Sequence, residues 1–211
     1  MARHVSEEEA LPVRQSDRSA ITRNKLMDAT YRILRDVGHA GLRSANISSE
    51  SGVSRGGLLH HYPSKEELVA AVYERILVDM EQNARSALVG VRNEDVLKQF
   101  VGVAQRRFFD ESYRIVLDIL VASGSEEPVI KVREAYSSPN YRMARLDWAE
   151  RLADTGIAFD QASIVTRFLW ATVKGTAIRA LVRRDDVLED RIMRSALRLA
   201  EQHCDALRRS A

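Results

Sequence analysis

Residues 44–65 read SANISSESGVSRGGLLHHYPSK, and the pattern of these 22 positions decides the fold. Ser44 is a good N-cap for a short helix that turns Ala45, Ile47 and Ser48 toward a core, and Gly52 supplies the positive φ of a turn. Val53 fills the angle between two helices. Ser54 caps the next helix, Arg55 to about His61, in which Leu58 and Tyr62 lie one turn apart and face inward while Arg55, Gly56, Leu59 and His60 face out. Ser64 and Glu67 then form a capping box that opens a further helix. Two short helices about a tight turn, followed by a third capped start, are written as a helix-turn-helix reader of DNA, with the Arg55–His61 helix in the major groove.

Two oddities within the stretch point the same way. Gly56 and Gly57 each cost a helix interior about 1 kcal/mol against alanine. Without side chains they let the backbone approach DNA closely, although first-turn glycines are also simply tolerated near a helix end. Lys65 sits at a helix N-terminus, where the dipole disfavours a cation. A phosphate docked there reverses the sign of that argument; a solvated surface lysine costs only roughly a few tenths of a kcal/mol.

Outward toward the N-terminus, Leu26, Ala29, Thr30, Ile33, Leu34 and Val37 recur at three- and four-residue spacing and predict one long helix, with Gly38 as a left-handed terminator. Residues 1–18 are polar and aperiodic and read as a mobile arm. Arg14 and Arg18 in such an arm could reach a minor groove, or the arm is an inert tail.

The charge follows this division. Net charge over the 211 residues is +2, too small to announce nucleic acid. Residues 19–65, however, hold Arg23, Lys25, Arg32, Arg35, Arg43, Arg55 and Lys65 against Asp28, Asp36 and Glu50, whereas both flanks are slightly acidic. Positive charge concentrated on the helix-turn-helix suits a phosphate-facing surface. Cys204 is the single cysteine, so no intrachain disulfide forms, and a structural thiol in a reducing interior is expected. No apolar run approaches the roughly 20 residues of a membrane span and the opening residues do not resemble a signal peptide, so a soluble, cytoplasmic protein is expected. A metal site is not expected, because His4, His39 and His203 are scattered away from His60 and His61.

From Thr22 to about Leu68 the sequence TRNKLMDATYRILRDVGHAGLRSANISSESGVSRGGLLHHYPSKEEL resembles, without a gap, the N-terminal DNA-binding domain of the tetracycline-repressor (TetR) family of bacterial transcriptional regulators. The helix ending in VG, the I-x-x-x-x-GVS corner and the K-x-x-L that starts the next helix carry the resemblance. It implies DNA contacts, major-groove or phosphate, from Ser54, Arg55, Gly56, Gly57, Leu59, His60 and His61, and phosphate contacts from Ser44, Asn46 and Lys65. Leu59 stands where the family usually has a tyrosine, which leaves only apolar contact, such as with a thymine methyl. Ser48 and Ser51 replace the usual alanines, a near-isosteric change expected to threaten little.

The remainder stays helical: one helix to about Leu88, then five more. Tyr113 to Ala122 is nearly all apolar and reads as buried on most sides, and Pro139 predicts a kink or break at Ser137 to Asn140. The last two helices, Asp160 to about Val182 and Val187 to about Leu207, flank a polar RRDD turn; Gly175 within the first either admits a neighbouring backbone or merely weakens the helix. In the resembled family two such helices pair with their copies, which implies a homodimer. The family also implies an effector cavity. Phe100, Phe108, Tyr113, Leu117, Tyr136, Met143, Asp147, Trp148 and Trp170 are candidates to line it, with Lys174 as an anchor for an acidic group, although any of these aromatics can equally be plain core.

The expected architecture is therefore all-α, with an arm (1–18), a three-helix helix-turn-helix DNA-binding domain (19–65) and a helical ligand-binding and dimerisation domain (66–211). The expected function is a homodimeric regulator, a repressor that binds a double-stranded DNA operator and lets go when a small molecule binds, with no cofactor. A ligand-binding dimer without DNA binding and an all-helical enzyme are the alternatives; the enzyme lacks a phosphate-cradling glycine loop, H-E-x-x-H, clustered cysteines and G-x-S-x-G.

Overall fold

Leu26, Ala29, Thr30 and Leu34 share one face at helical spacing, and α1 (Gln15–Val37) buries all four. In the computed structural model, which describes residues 15–137 and 143–210, ten α-helices and two single 3-10 turns appear, with no strand among the described residues. Helix α1 takes in Gln15 to Arg18, so these four residues are not part of an arm, while residues 1–14 of the expected arm lie outside the described residues. Val37, expected to face inward, is 60% exposed, because it ends the helix where the chain turns away. Gly38 does stop α1 with a positive φ of 70°, but its ψ of 179° lies in the extended glycine-only region and not in the left-handed helical well.

Helix α2 (Ser44–Ser51) begins at Ser44 itself, and Arg43 occupies the N-cap without a side-chain cap bond, so Ser44 is a first-turn residue and not the expected cap. Ile47 is its buried residue; Ala45 is exposed and Ser48 half-buried. Gly52 closes α2 in the left-handed well at φ 67° and ψ 15°, as the turn requires. Helix α3 (Arg55–His61) is capped as expected, with the Gly57 N–H donating to Ser54 Oγ at 3.1 Å. Leu58 and Tyr62 close the core beneath it. Fully burying such a leucine stabilises by about 1.5–3 kcal/mol.

The Glu67 N–H donates to Ser64 Oγ at 3.1 Å at the start of α4 (Lys65–Ser86). The chain divides into two compact units, Met1–Val72 and Tyr73–Ala211, and the dividing point falls inside α4.

The second unit holds six further helices, one more than expected: α5 (Val96–Phe108), α6 (Glu111–Ser123), α7 (Glu127–Ser137), α8 (Ala144–Ala153), α9 (Phe159–Val182) and α10 (Asp186–Ser210). The count rises because α7 and α8 are separate helices; of the expected break, Ser137 ends α7 and residues 138–140 lie outside the described residues. Helix α9 packs on α5, α8 and α10, with Phe100 and Ala104, Trp148 and Leu152, Val165, Leu169 and Val173, and Met193, Ala196 and Ala200 as core. Helix α6 is not buried on most sides: Tyr113, Ile115, Val116 and Ile119 face in, but Val121 is 88% exposed. Among the described residues no helix is long and apolar enough to cross a membrane.

Candidate nucleic-acid interface

The outward face of α3 carries Arg55, Gly56, Leu59 and His60, all exposed, opposite the buried Leu58. Leu59 is 49% exposed, high for a leucine beside a core residue and in keeping with a contact made outside the chain. Gly57 and His61 are half-buried. The His60 and His61 rings meet edge to face with centroids 5.1 Å apart, and no group of three or more His, Cys, Asp or Glu positioned for a metal exists among the described residues.

The two glycines separate physically. A Cβ on Gly57 would lie 2.9 Å from Val53 Cγ1 and 3.4 Å from Ser54 Oγ, so the packing of the turn itself accounts for glycine there. A Cβ on Gly56 would meet nothing within 4 Å. Nothing among the described residues explains why Gly56 is not alanine.

Partners within the chain sort the cations. Arg32 Nε reaches Glu50 Oε1 at 2.6 Å and ties α1 to α2. Arg35 pairs with Asp36 at 2.7 Å, and Arg43 Nη1 donates to the Ala40 carbonyl at 2.7 Å. The Arg23 guanidinium carbon lies 5.6 Å from the centre of the Tyr62 ring. Lys65 Nζ stands 3.8 Å from Glu66 Oε1, a loose surface contact worth about 0–1 kcal/mol. Arg55, by contrast, makes no hydrogen bond or ion pair with the described residues.

At the start of α2 the first intrahelical bond is donated by the Ile47 N–H to the Arg43 carbonyl at 3.0 Å, so the amides of Ser44, Ala45 and Asn46 have no intrahelical acceptor. The Asn46 side-chain amide donates to the Gly41 carbonyl at 3.3 Å. Ser51 is well used, since its Oγ accepts from the Val53 N–H at 3.2 Å, but the Ser48 Oγ is sealed with no hydrogen-bond partner among the described residues. The expectation that Ser48 is harmless is therefore corrected: an unmatched buried hydroxyl costs about 1–3 kcal/mol.

A family model described as bacterial regulatory proteins, tetR family, matches residues 26–72. Over 189 residues the chain is 30% identical to the HTH-type transcriptional regulator CymR of Pseudomonas putida, covering 89% of this chain and 93% of that protein. This is a TetR-family protein. It shares its fold with a TetR transcription regulator from Haloarcula marismortui (TM-score 0.63, 21% identity, 89% and 98% of the two chains). It also shares it with SmeT, the repressor of the Stenotrophomonas maltophilia multidrug efflux pump SmeDEF (TM-score 0.57, 23% identity, 85% and 90%), which has also been solved as a complex with triclosan. As a member of the TetR family the protein is a transcriptional regulator.

The candidates for the effector site fall into two groups. Phe100, Phe108, Tyr113, Trp148 and Trp170 form one continuous cluster: Phe100 lies between Trp148 (5.6 Å) and Trp170 (5.5 Å), and Phe108 meets Trp170 (4.9 Å) and Tyr113 (4.8 Å). Trp148 is held by its Nε1–H, which donates to the Ala84 carbonyl at 3.0 Å. Leu117, Tyr136 and Met143 are half-buried, Asp147 is bound to Arg85 at 3.0 Å, and Lys174 is exposed on α9.

Sequence reasoning missed three charged residues in the same interior. Glu81 is buried; its Oε1 accepts from Arg107 Nη1 at 2.7 Å and its Oε2 from the Ala144 N–H at 2.7 Å, so one carboxylate ties α4 to α5 and α8. The third is Arg145, also buried. All three occupy apolar-face positions, Glu81 between Leu77 and Ala84, Arg107 seven residues after Phe100, and Arg145 three before Trp148. A charge on an apolar stripe was the available signal.

Proposed function

We propose that this TetR-family regulator is a homodimeric repressor that reads double-stranded operator DNA through α3 and releases it when a small-molecule effector binds in the second unit. The observation that carries the DNA part is Arg55. A cation with no in-chain partner among the described residues, beside a Gly56 whose missing Cβ nothing in the chain needs, is a surface built for something outside the chain. In this reading Arg55, Gly56, Leu59 and His60 face the groove, Ser54, Gly57 and His61 support that contact, and Ser44, Asn46 and Lys65 meet phosphates with the free amides of α2 and α4.

Dimerisation draws support from α9. Ile164, Phe168, Ala171, Gly175, Ile178 and Val182 are all exposed and recur at alternating four- and three-residue steps, the spacing of a helix-helix seam. A Cβ on Gly175 would meet nothing within 4 Å, so its openness serves no neighbour among the described residues. Leu188 and Leu199 add exposed apolar side chains on α10. A second copy of the chain covers these faces.

Release then follows from linkage. The effector must bind better to a conformation whose recognition helices are misspaced, since a ligand indifferent to the two states shifts nothing. SmeT, which repressor and triclosan complex describe, gives the precedent for an effector on this fold. Footprinting the DNA that flanks the protein's own coding region tests the proposal: two protected half-sites centred about 34–36 Å apart are expected. Protection of a single half-site, or none, counts against it.

A further inference from the structure

Leu59 stands half out of the chain, 49% exposed, on the same face of α3 as Arg55, Gly56 and His60. A lone exposed leucine is ordinary. Its surroundings are less so. A long side chain on a helix leans toward the helix N-terminus, over the positions three and four before its own. For Leu59 those positions are Gly56 and Arg55. A Cβ built on Gly56 would meet nothing within 4 Å, the Leu59 side chain included, so the bare backbone of Gly56 floors a notch that has leucine for one wall. Val37 gives the contrast within the same unit. It too is exposed, but it fills the space over Gly41, where an added Cβ would lie 2.5 Å from Val37 Cγ2.

Neither Leu59 nor Gly56 carries a side-chain donor or acceptor, whereas Arg55, one turn back, carries a fork of N–H donors and makes no hydrogen bond or ion pair with the described residues. The two kinds of surface select different base edges. In the major groove guanine, cytosine and adenine show hydrogen-bonding groups alone, and thymine adds a methyl group at C5. An apolar wall laid on a polar edge strips that edge of water and returns no hydrogen bond. Laid on the methyl, the same wall buries apolar surface on both partners. The leucine therefore discriminates through the edges it penalises as well as through the group it covers.

We propose that Leu59 and Gly56 together read the C5 methyl of a thymine in the operator, the methyl entering the notch over Gly56 and packing on the leucine side chain. The proposal rests on the DNA-reading account above and assigns one base to two residues of α3. It accounts for the glycine at position 56, which no described neighbour requires. Arg55 lies about 6 Å from Leu59 along the helix axis, so its own base contact falls on a different base pair.

The full-length protein is used to select duplexes from a random-sequence pool. The enriched duplex is then remade with each thymine in turn replaced by deoxyuridine, which keeps the pairing and the O4 acceptor and lacks only the methyl. One thymine in each half-site is expected to show an affinity loss of about three- to fivefold on this change, the worth of burying a single methyl group. Leu59→Ala is expected to bind the thymine and uracil duplexes alike, and Gly56→Ala to shrink the penalty, because its own methyl fills the notch. Both residues are exposed, so thermal unfolding is expected to show both variants folded. An enriched duplex whose affinity is unmoved by uracil at every thymine, or a penalty that Leu59→Ala or Gly56→Ala keeps in full, overturns the proposal and leaves the DNA-reading account standing. A pool that never enriches overturns both.

Discussion

Gly57 and Val53 pack so closely that a Cβ on the glycine would sit 2.9 Å from Val53 Cγ1, whereas the adjacent Gly56 faces open space. Gly56→Ala is therefore expected to stabilise the fold by about 0.5–1 kcal/mol through helix propensity. The same change is expected to weaken DNA binding, because the new methyl occupies the face proposed to approach the groove. Gly57→Ala should bring no such gain, since Val53 must shift. Urea denaturation and DNA binding of both variants check this; equal stabilisation by the two alanines would contradict it.

Ser48→Ala should raise stability by about 1 kcal/mol, because it removes a buried hydroxyl that has no partner and fits the same space. Ser51→Ala should lower stability, since it deletes the acceptor of the Val53 amide. Chemical denaturation of the pair decides the matter, and a loss of stability from Ser48→Ala would show that its hydroxyl is matched in solution.

The helix-turn-helix was legible because its signals are local. Ile47, Gly52, Ser54, Leu58 and Tyr62 act within one or two turns of their own positions, and each stands where the spacing puts it. The first-turn place of Ser44 was less legible, because Arg43 is an improbable N-cap by residue type, and the caps that a chain forgoes are not written in it. Farther along, periodicity found the helices but not their partners. Tyr113 to Ala122 reads as buried on most sides because composition cannot say that Val121 faces away from the core. Of the candidate effector residues, five aromatics fell together because large rings seek one core, whereas Lys174 lies exposed on α9, away from any burial that composition could foresee.

Glu81→Ala should cost about 3–5 kcal/mol, the range for breaking a buried ion pair, because it strands the Arg107 guanidinium and the Ala144 amide together. Glu81→Gln keeps an acceptor and should cost less. Thermal denaturation ranks the two, and a near-neutral Glu81→Ala would show that water replaces the carboxylate.

Burial pushes the Cys204 thiol above its ordinary pKa, against a lowering pull from Arg208, and the side chain is fully enclosed on α10. A thiol reagent such as DTNB should therefore react with the native protein only at the rate of local opening, and promptly once denaturant is added. Prompt reaction under native conditions would contradict the burial.

Arg55→Ala and Lys65→Ala should part company on DNA. Arg55 has no hydrogen-bond or ion-pair partner among the described residues, so its loss should relax specificity and cost about 1–3 kcal/mol on the preferred sequence. Lys65, at the α4 N-terminus, should weaken all sequences evenly and lower the salt slope by about one. Equal loss of selectivity from both would contradict that division.

The α3 face is proposed to read DNA. Its most direct test is the affinity of the full-length protein for DNA flanking its own coding region, measured against bulk DNA across a salt series. The predicted result is a clear preference for the flanking sequence and an affinity that falls linearly on a log-log scale as salt rises. Binding with no preference above bulk DNA, or with no dependence on salt, would contradict the account.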